Sequence, residues 1–145
     1  MKNILVLIAI AFSFPLMFGC KKSQPSYSVS ATINAVNYSL PNCYALFSGG
    51  TLDISGVPNF TKQVAYPCIA LRIINWNGSP GAFTFDGTTC LGSCLLTDSL
   101  DELALYGTIT ITAASSNSIS GTFSFSSWDQ TKVTNGKFYS KLTRD

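Results

Sequence analysis

The chain predicts an all-β fold, an antiparallel β-sandwich, with a closed calycin-like β-barrel as the alternative. Three observations predict it. Apolar and polar residues alternate from about Tyr27 onward in short runs bounded by Gly, Pro, Asn and Asp, the period-two signature of strands with one buried face. Three runs share one pattern: Gly81-Ala82-Phe83-Thr84-Phe85, Gly107-Thr108-Ile109-Thr110-Ile111 and Gly121-Thr122-Phe123-Ser124-Phe125. Each sets two large apolar side chains on one face and small or hydroxyl side chains on the other. Helical periodicity is nearly absent.

In chain order, strands are expected near residues 28–33, 37–40, 43–48, 51–55 and 66–76. The last contains a dense apolar run from Cys68 to Trp76 that Asn77-Gly78 ends as a turn. Strands over 81–85, 107–111 and 121–125 follow, with turn chemistry at Ser115-Ser116-Asn117-Ser118, and a last strand runs through Val133 to about Leu142 as the end of an antiparallel meander. Eight or nine close-spaced short strands favour the sandwich over the barrel. The one helical candidate is Asp98 to Leu105, where Ser99 and Glu102 stand at capping-box spacing.

The N-terminus carries an address. Lys2 precedes an apolar run from Ile4 to Phe18, too short to span a bilayer as a helix and broken near its end by Pro15. The run ends in Met17-Phe18-Gly19-Cys20, which resembles the cleavage site of a bacterial lipoprotein signal peptide, with cleavage between Gly19 and Cys20 and lipidation of the Cys20 sulfur. A cysteine carrying two or three acyl chains, palmitate among them, stays on a membrane where a single chain does not. Residues 1–19 are therefore read as the leader, 20–26 as a lipidated tether and 27–145 as one domain. Lys21 and Lys22 follow the cysteine where known lipoproteins carry aspartate for inner-membrane retention, so the resemblance implies the outer membrane, facing the periplasm, with the cell surface as a further possibility.

Charged residues make up only 11 % of the chain and the net charge is +2, so no electrostatic footprint for nucleic acid exists. Besides Cys20, the cysteines are Cys43, Cys68, Cys90 and Cys94, an even number in a compartment that permits disulfide bonds. Of the three connectivities, proximity in sequence favours Cys43 with Cys68 and Cys90 with Cys94, the second pair flanking Leu91-Gly92-Ser93. A zinc site is disfavoured because only one pair is close.

The opening Ala31-Thr32-Ile33-Asn34-Ala35, the run Ile119-Ser120-Gly121-Thr122-Phe123-Ser124-Phe125 and the closing Thr134-Asn135-Gly136-Lys137-Phe138 resemble a family of small lipoproteins of Gram-negative bacteria, a domain of unknown function. Its members share an A-T-I-N-G start, an I-S-G-T-F-S-F strand and a T-N-G-x-F ending. The resemblance implies a lipid-anchored β domain and brings no catalytic residue. This chain has Ala35 where the family often has glycine.

Chemistry is sparse. The chain has no histidine, which removes the commonest general base and the Ser-His-Asp arrangement. Asp98, Asp101 and Glu102 form the only acidic cluster, and they are the candidate acid and base of the alternative function, a carboxylate-dependent hydrolase of envelope carbohydrate. Close-set acids more often cap a helix or face solvent, and calcium binding by Asp98 and Asp101 matches no loop motif. Trp76 and Trp128 could stack a ligand, although both also suit the rim of a core. The expected function is a non-enzymatic binding or structural module with a protein or glycan partner, held at a membrane by acyl chains, with no cofactor and no metal.

Overall fold

The structure, a computed structural model, describes residues 26–59, 66–97 and 100–145. Gly19, Cys20 and Asp98 lie outside the described residues. The alternating pattern yields ten strands: β1 (Ser28–Ile33), β2 (Val36–Leu40), β3 (Asn42–Ser48), β4 (Thr51–Val57), β5 (Cys68–Ile73), β6 (Gly81–Thr84), β7 (Cys90–Thr97), β8 (Leu100–Ala114), β9 (Ser118–Ser127) and β10 (Lys132–Arg144). Among the described residues there is no helix. The all-β expectation and the C-terminal meander β8-β9-β10 hold.

The sheet closes as a barrel. Its ring runs β10-β3-β4-β5-β7-β8-β9 and back to β10, seven strands, so the sandwich gives way to the barrel alternative. The two longest strands explain why. Val133 to Tyr139 of β10 pair with β1, whereas Lys141 to Arg144 pair in parallel with Tyr44 to Phe47 of β3. Likewise, Leu100 to Leu103 of β8 pair with β7, and Thr108 to Ile111 pair with β6. Each long strand thus changes partners along its length, and β3 and β7 peel away to form the rest of the ring. The β1-β2 hairpin and β6 remain as flaps outside it.

Two local expectations are corrected here. Residues 100–105 are strand, not helix, because Leu103 and Glu102 take their places in the β7-β8 ladder opposite Ser93 and Cys94. Leu91-Gly92-Ser93, expected as a turn flanked by a Cys90–Cys94 pair, lie within β7, which runs between β5 and β8.

Side chains point in by the same alternation. Leu52, Ile54, Ile69, Leu71, Ile73, Ile109 and Ile111 are among those that fill the interior, while Ser, Thr and Lys dominate the outer positions of β9, β10 and β8 from Thr108 onward. That is the reverse of the apolar-out pattern of a barrel spanning a bilayer. The meander is locked by glycines that face aromatic rings across the ladder: Gly121 lies opposite Phe138, and Gly136 opposite Phe123. A Cβ on Gly121 would come within 2.5 Å of the Phe138 ring, and one on Gly136 within 2.6 Å of the Phe123 ring. The ring therefore occupies the volume a side chain would need. The flaps close the interior similarly, with Val29 of β1 seated over Gly56, and Phe85, just after β6, over Gly92.

The departure at Ala35 has a physical outcome. Asn34 and Ala35 make the two-residue β1-β2 turn with φ of 47° and 68°, the left-handed conformation that Asn-Gly adopts without a Cβ penalty. The side chain and backbone of Asn34 hold the turn to β10, its Oδ1 accepting from Lys132 N at 2.9 Å and its N–H donating to Lys132 O at 2.9 Å. The left-handed region costs alanine about 1–2 kcal/mol, and glycine adds unfolded-state entropy of somewhat less, so Ala35→Gly is expected to stabilise by roughly 0.5–1 kcal/mol. Urea unfolding checks it, and a lowered midpoint would contradict the turn geometry.

Candidate functional site

The register of the outer face brings together residues that are distant in sequence. One outward row runs Tyr44, Ser55, Ala70, Ser93 and Leu103 across β3, β4, β5, β7 and β8, and the next runs Leu46, Asp53, Arg72 and Leu91. Ser55, Ala70 and Ser93 are small, so a trough forms between taller neighbours. It continues as a second hollow that shares Leu91, Gly92 and Leu103 and reaches Asp86, Gly87 and Trp128. The two hollows measure about 360 and 220 Å³.

Each wall of the trough is fixed. Arg72 Nε donates to Asp53 Oδ1 at 2.6 Å on the partly exposed surface, and this contact raises the guanidinium above its ordinary value. Such a surface pair contributes little stability but holds a planar donor array in place. Trp128 is 76 % exposed at the tip of the β9-β10 hairpin. The hairpin itself is rigid: Ser127 N donates to Thr131 O at 3.0 Å, Gln130 N to Ser127 O at 3.3 Å, and Thr131 N to Ser127 Oγ at 3.2 Å. Ser127 and Thr131 are buried, so the bonds that display the indole are shielded from water. Leu103 and Tyr106, 59 % and 69 % exposed, continue the apolar surface along β8.

Asp86 stands at the far end with its carboxylate already committed. It accepts from the Thr89 hydroxyl and from the backbone N–H groups of Thr88, Thr89 and Cys90, which hold it well below the usual carboxylate range. It contributes fixed negative charge and no proton transfer near neutral pH.

The structure separates several residues that proximity in sequence grouped. Trp76 is buried, its ring edge-on to Phe47 at 5.1 Å and its Nε1–H donating to Ser79 O at 2.8 Å, so it has no face for a ligand. Asp101 is exposed and Glu102 buried, on opposite faces of β8, so these two acids do not converge on one cleft. Cys43, Cys68, Cys90 and Cys94 are free thiols. The expected pairs do not fit the ladder. Cys90 and Cys94 stand four residues apart on one extended strand, about 13 Å, and Cys43 and Cys68 are two strands apart, roughly 9–10 Å, whereas a bridge needs Cα atoms within about 7 Å. Cys68 and Cys94, on adjacent strands, face opposite sides of the sheet. Among the described residues, no group of three His, Cys, Asp or Glu could hold a metal ion.

Sequence reasoning missed Asp53, Arg72, Leu91 and Leu103. Their outward positions are readable from alternation, but their meeting depends on register across four strands. No protein family, curated protein or solved structure matches the chain.

Burial pushes the Cys43 thiol up to about 11 and the Cys90 and Cys94 thiols up to about 12, and raises that of the half-buried Cys68 as well. The folded thiols therefore keep protons that the unfolded chain releases near 9.0. Stability is accordingly full below about pH 9 and falls as pH rises toward the folded values. At pH 8 a thiol reagent is expected to reach Cys68 first, and Cys43, Cys90 and Cys94 only on unfolding. Peptide mapping that finds two disulfides among the four would contradict this geometry.

Proposed function

We propose that the chain is a lipid-anchored envelope protein whose barrel is a non-enzymatic module binding a glycan through the trough that ends at Trp128. Cys20 carries the acyl chains, residues 20–26 tether the domain, and the outer membrane, on its periplasmic side, is the location. The resemblance to the Gram-negative lipoprotein family belongs to the same reading.

The observation that carries the binding site is the exposure of Trp128 on a hairpin held rigid by buried hydrogen bonds. An indole left in water beside a hollow loses favourable burial unless something covers it. Sugar rings offer apolar C–H faces for the indole and hydroxyls for a guanidinium, a carboxylate and serines, which is the composition of the trough. The carboxylate-dependent hydrolase draws no comparable support. Glu102 points into the barrel, and the Asp86 carboxylate is occupied by its own loop.

Titration with envelope-derived oligosaccharides, followed by tryptophan fluorescence, tests the proposal. A binding saccharide is expected to shift the emission of Trp128 and leave that of the buried Trp76 unchanged. Stacking on one aromatic is worth about 0.5–1.5 kcal/mol, so Trp128→Ala should weaken binding roughly three- to tenfold. Equal affinity in the variant, or no response to any saccharide, would remove the trough as the site.

A further inference from the structure

We infer that the barrel docks on the membrane interface through the face built by Tyr27, Tyr44, Leu46 and Lys141, which points the Trp128 end of the trough away from the bilayer. The inference rests on the lipid anchor proposed above and adds an orientation to it.

Among the described residues, the exposed large apolar side chains other than Val36, which begins β2, gather in two places. Leu103, Tyr106 and Trp128 belong to the trough side, and Tyr27, Tyr44 and Leu46 line a groove of about 570 Å³ with Pro41, Asn42 and the outer side of β10. The parallel β3-β10 register sets Lys141 directly beside Tyr44 and Thr143 beside Leu46 on the same outer surface. Tyr27 joins them from the chain start by packing against Tyr139, with ring centroids 5.4 Å apart. The lining contains one basic residue and no acidic one. Tyrosine and lysine around a shallow apolar surface is the composition of the bilayer interface, where rings sit among headgroups and the ammonium meets phosphate.

Covalent length selects the membrane over other occupants. Tyr27 follows Cys20 by seven residues, which span at most about 25 Å when fully extended, so a lipidated Cys20 keeps the groove within reach of the surface holding its acyl chains. The ring order supplies the rest. From β3, which carries Tyr44 and Leu46, to β8, which carries Leu103, is four strand steps one way and three the other, so although the trough begins on β4 beside β3, its Leu103 and Trp128 end lies on the opposite side of the barrel from the groove. A glycan or polymer in the periplasm would meet the Trp128 end of the trough without competing with lipid.

The test uses the full-chain lipoprotein in vesicles of phosphatidylethanolamine and phosphatidylglycerol, with and without brominated acyl chains. Acyl mass on Cys20 and flotation with the vesicles are measured first. In Tyr44→Trp combined with Trp128→Phe, brominated lipid is expected to quench the introduced tryptophan by roughly twofold, the depth expected of an interfacial side chain. Trp128 of the unsubstituted chain should stay unquenched. Adding Leu46→Ser and Lys141→Glu, both at outward positions, should remove the quenching while acylation and flotation persist. Chains that are acylated and float, yet show no quenching at position 44 or equal quenching at Trp128, overturn the docking and leave the anchor standing. So does protection of the groove by a second copy in the vesicle-bound state. Chains without acyl mass overturn the anchor, and the docking with it.

Discussion

The barrel depends on aromatic rings lying across bare glycine backbone. In the β9-β10 ladder, Phe138 covers Gly121 and Phe123 covers Gly136, and in the β8-β9 ladder Phe125 stands opposite Gly107. A ring of seven strands has a narrow interior, and two opposed large side chains at each of these levels would not fit within it. Pairing each phenylalanine with a glycine lets rings from neighbouring strands share that space, and Phe123 and Phe138 come within 6.5 Å of each other, as do Phe123 and Phe125. Burying one such ring stabilises by about 3–5 kcal/mol as judged by truncation, against about 0.2–1 kcal/mol for a cross-strand pair as such. Packing into the space left by glycine therefore outweighs the intrinsic weakness of glycine in a strand.

A filled interior has a functional consequence. The core is occupied by Ile, Leu, Phe and thiol side chains, and the hollows described here open on the outer surface, which is where the proposed recognition is placed. There the small residues Ser55, Ala70 and Ser93 make a floor that the core does not require. The same alternation that drives Ile69 and Cys94 inward turns Ala70 and Ser93 outward. Stability and the proposed binding thus use opposite faces of the same strands, and changes on the outer face leave the packing alone.

Much of this was legible in the chain, for reasons that can be named. The strands over 28–33 and 121–125 were readable because alternation is a local property, and the meander because its turns are short and polar. What could not be read were features set by partners far away. Leu91-Gly92-Ser93 resembles a turn between Cys90 and Cys94, since Gly92 and Ser93 interrupt the apolar pattern. Gly92 is in fact a strand position left bare for the Phe85 ring. Ser99 and Glu102 stand at capping distance, but tertiary pairing with β7 overrides that weak preference. Sandwich and barrel share the same strands, and the switches of β10 from β1 to β3 and of β8 between β7 and β6 distinguish them. Of the two stacking candidates, Trp76 ends an apolar run and Trp128 an alternating one. Which one meets solvent was decided by Phe47, twenty-nine residues before Trp76, filling the space beside it.

The closed ring held by ring-on-glycine packing is tested most directly by nuclear Overhauser contacts in the folded protein. The account predicts cross-peaks from the Phe138 ring to the Gly121 Hα protons and from the Phe123 ring to those of Gly136. It also predicts backbone contacts between Leu142 and Ala45 in the parallel pattern that only closure provides. Glycine protons without ring-current displacement, together with a β3 edge that shows no contact to β10, would contradict it.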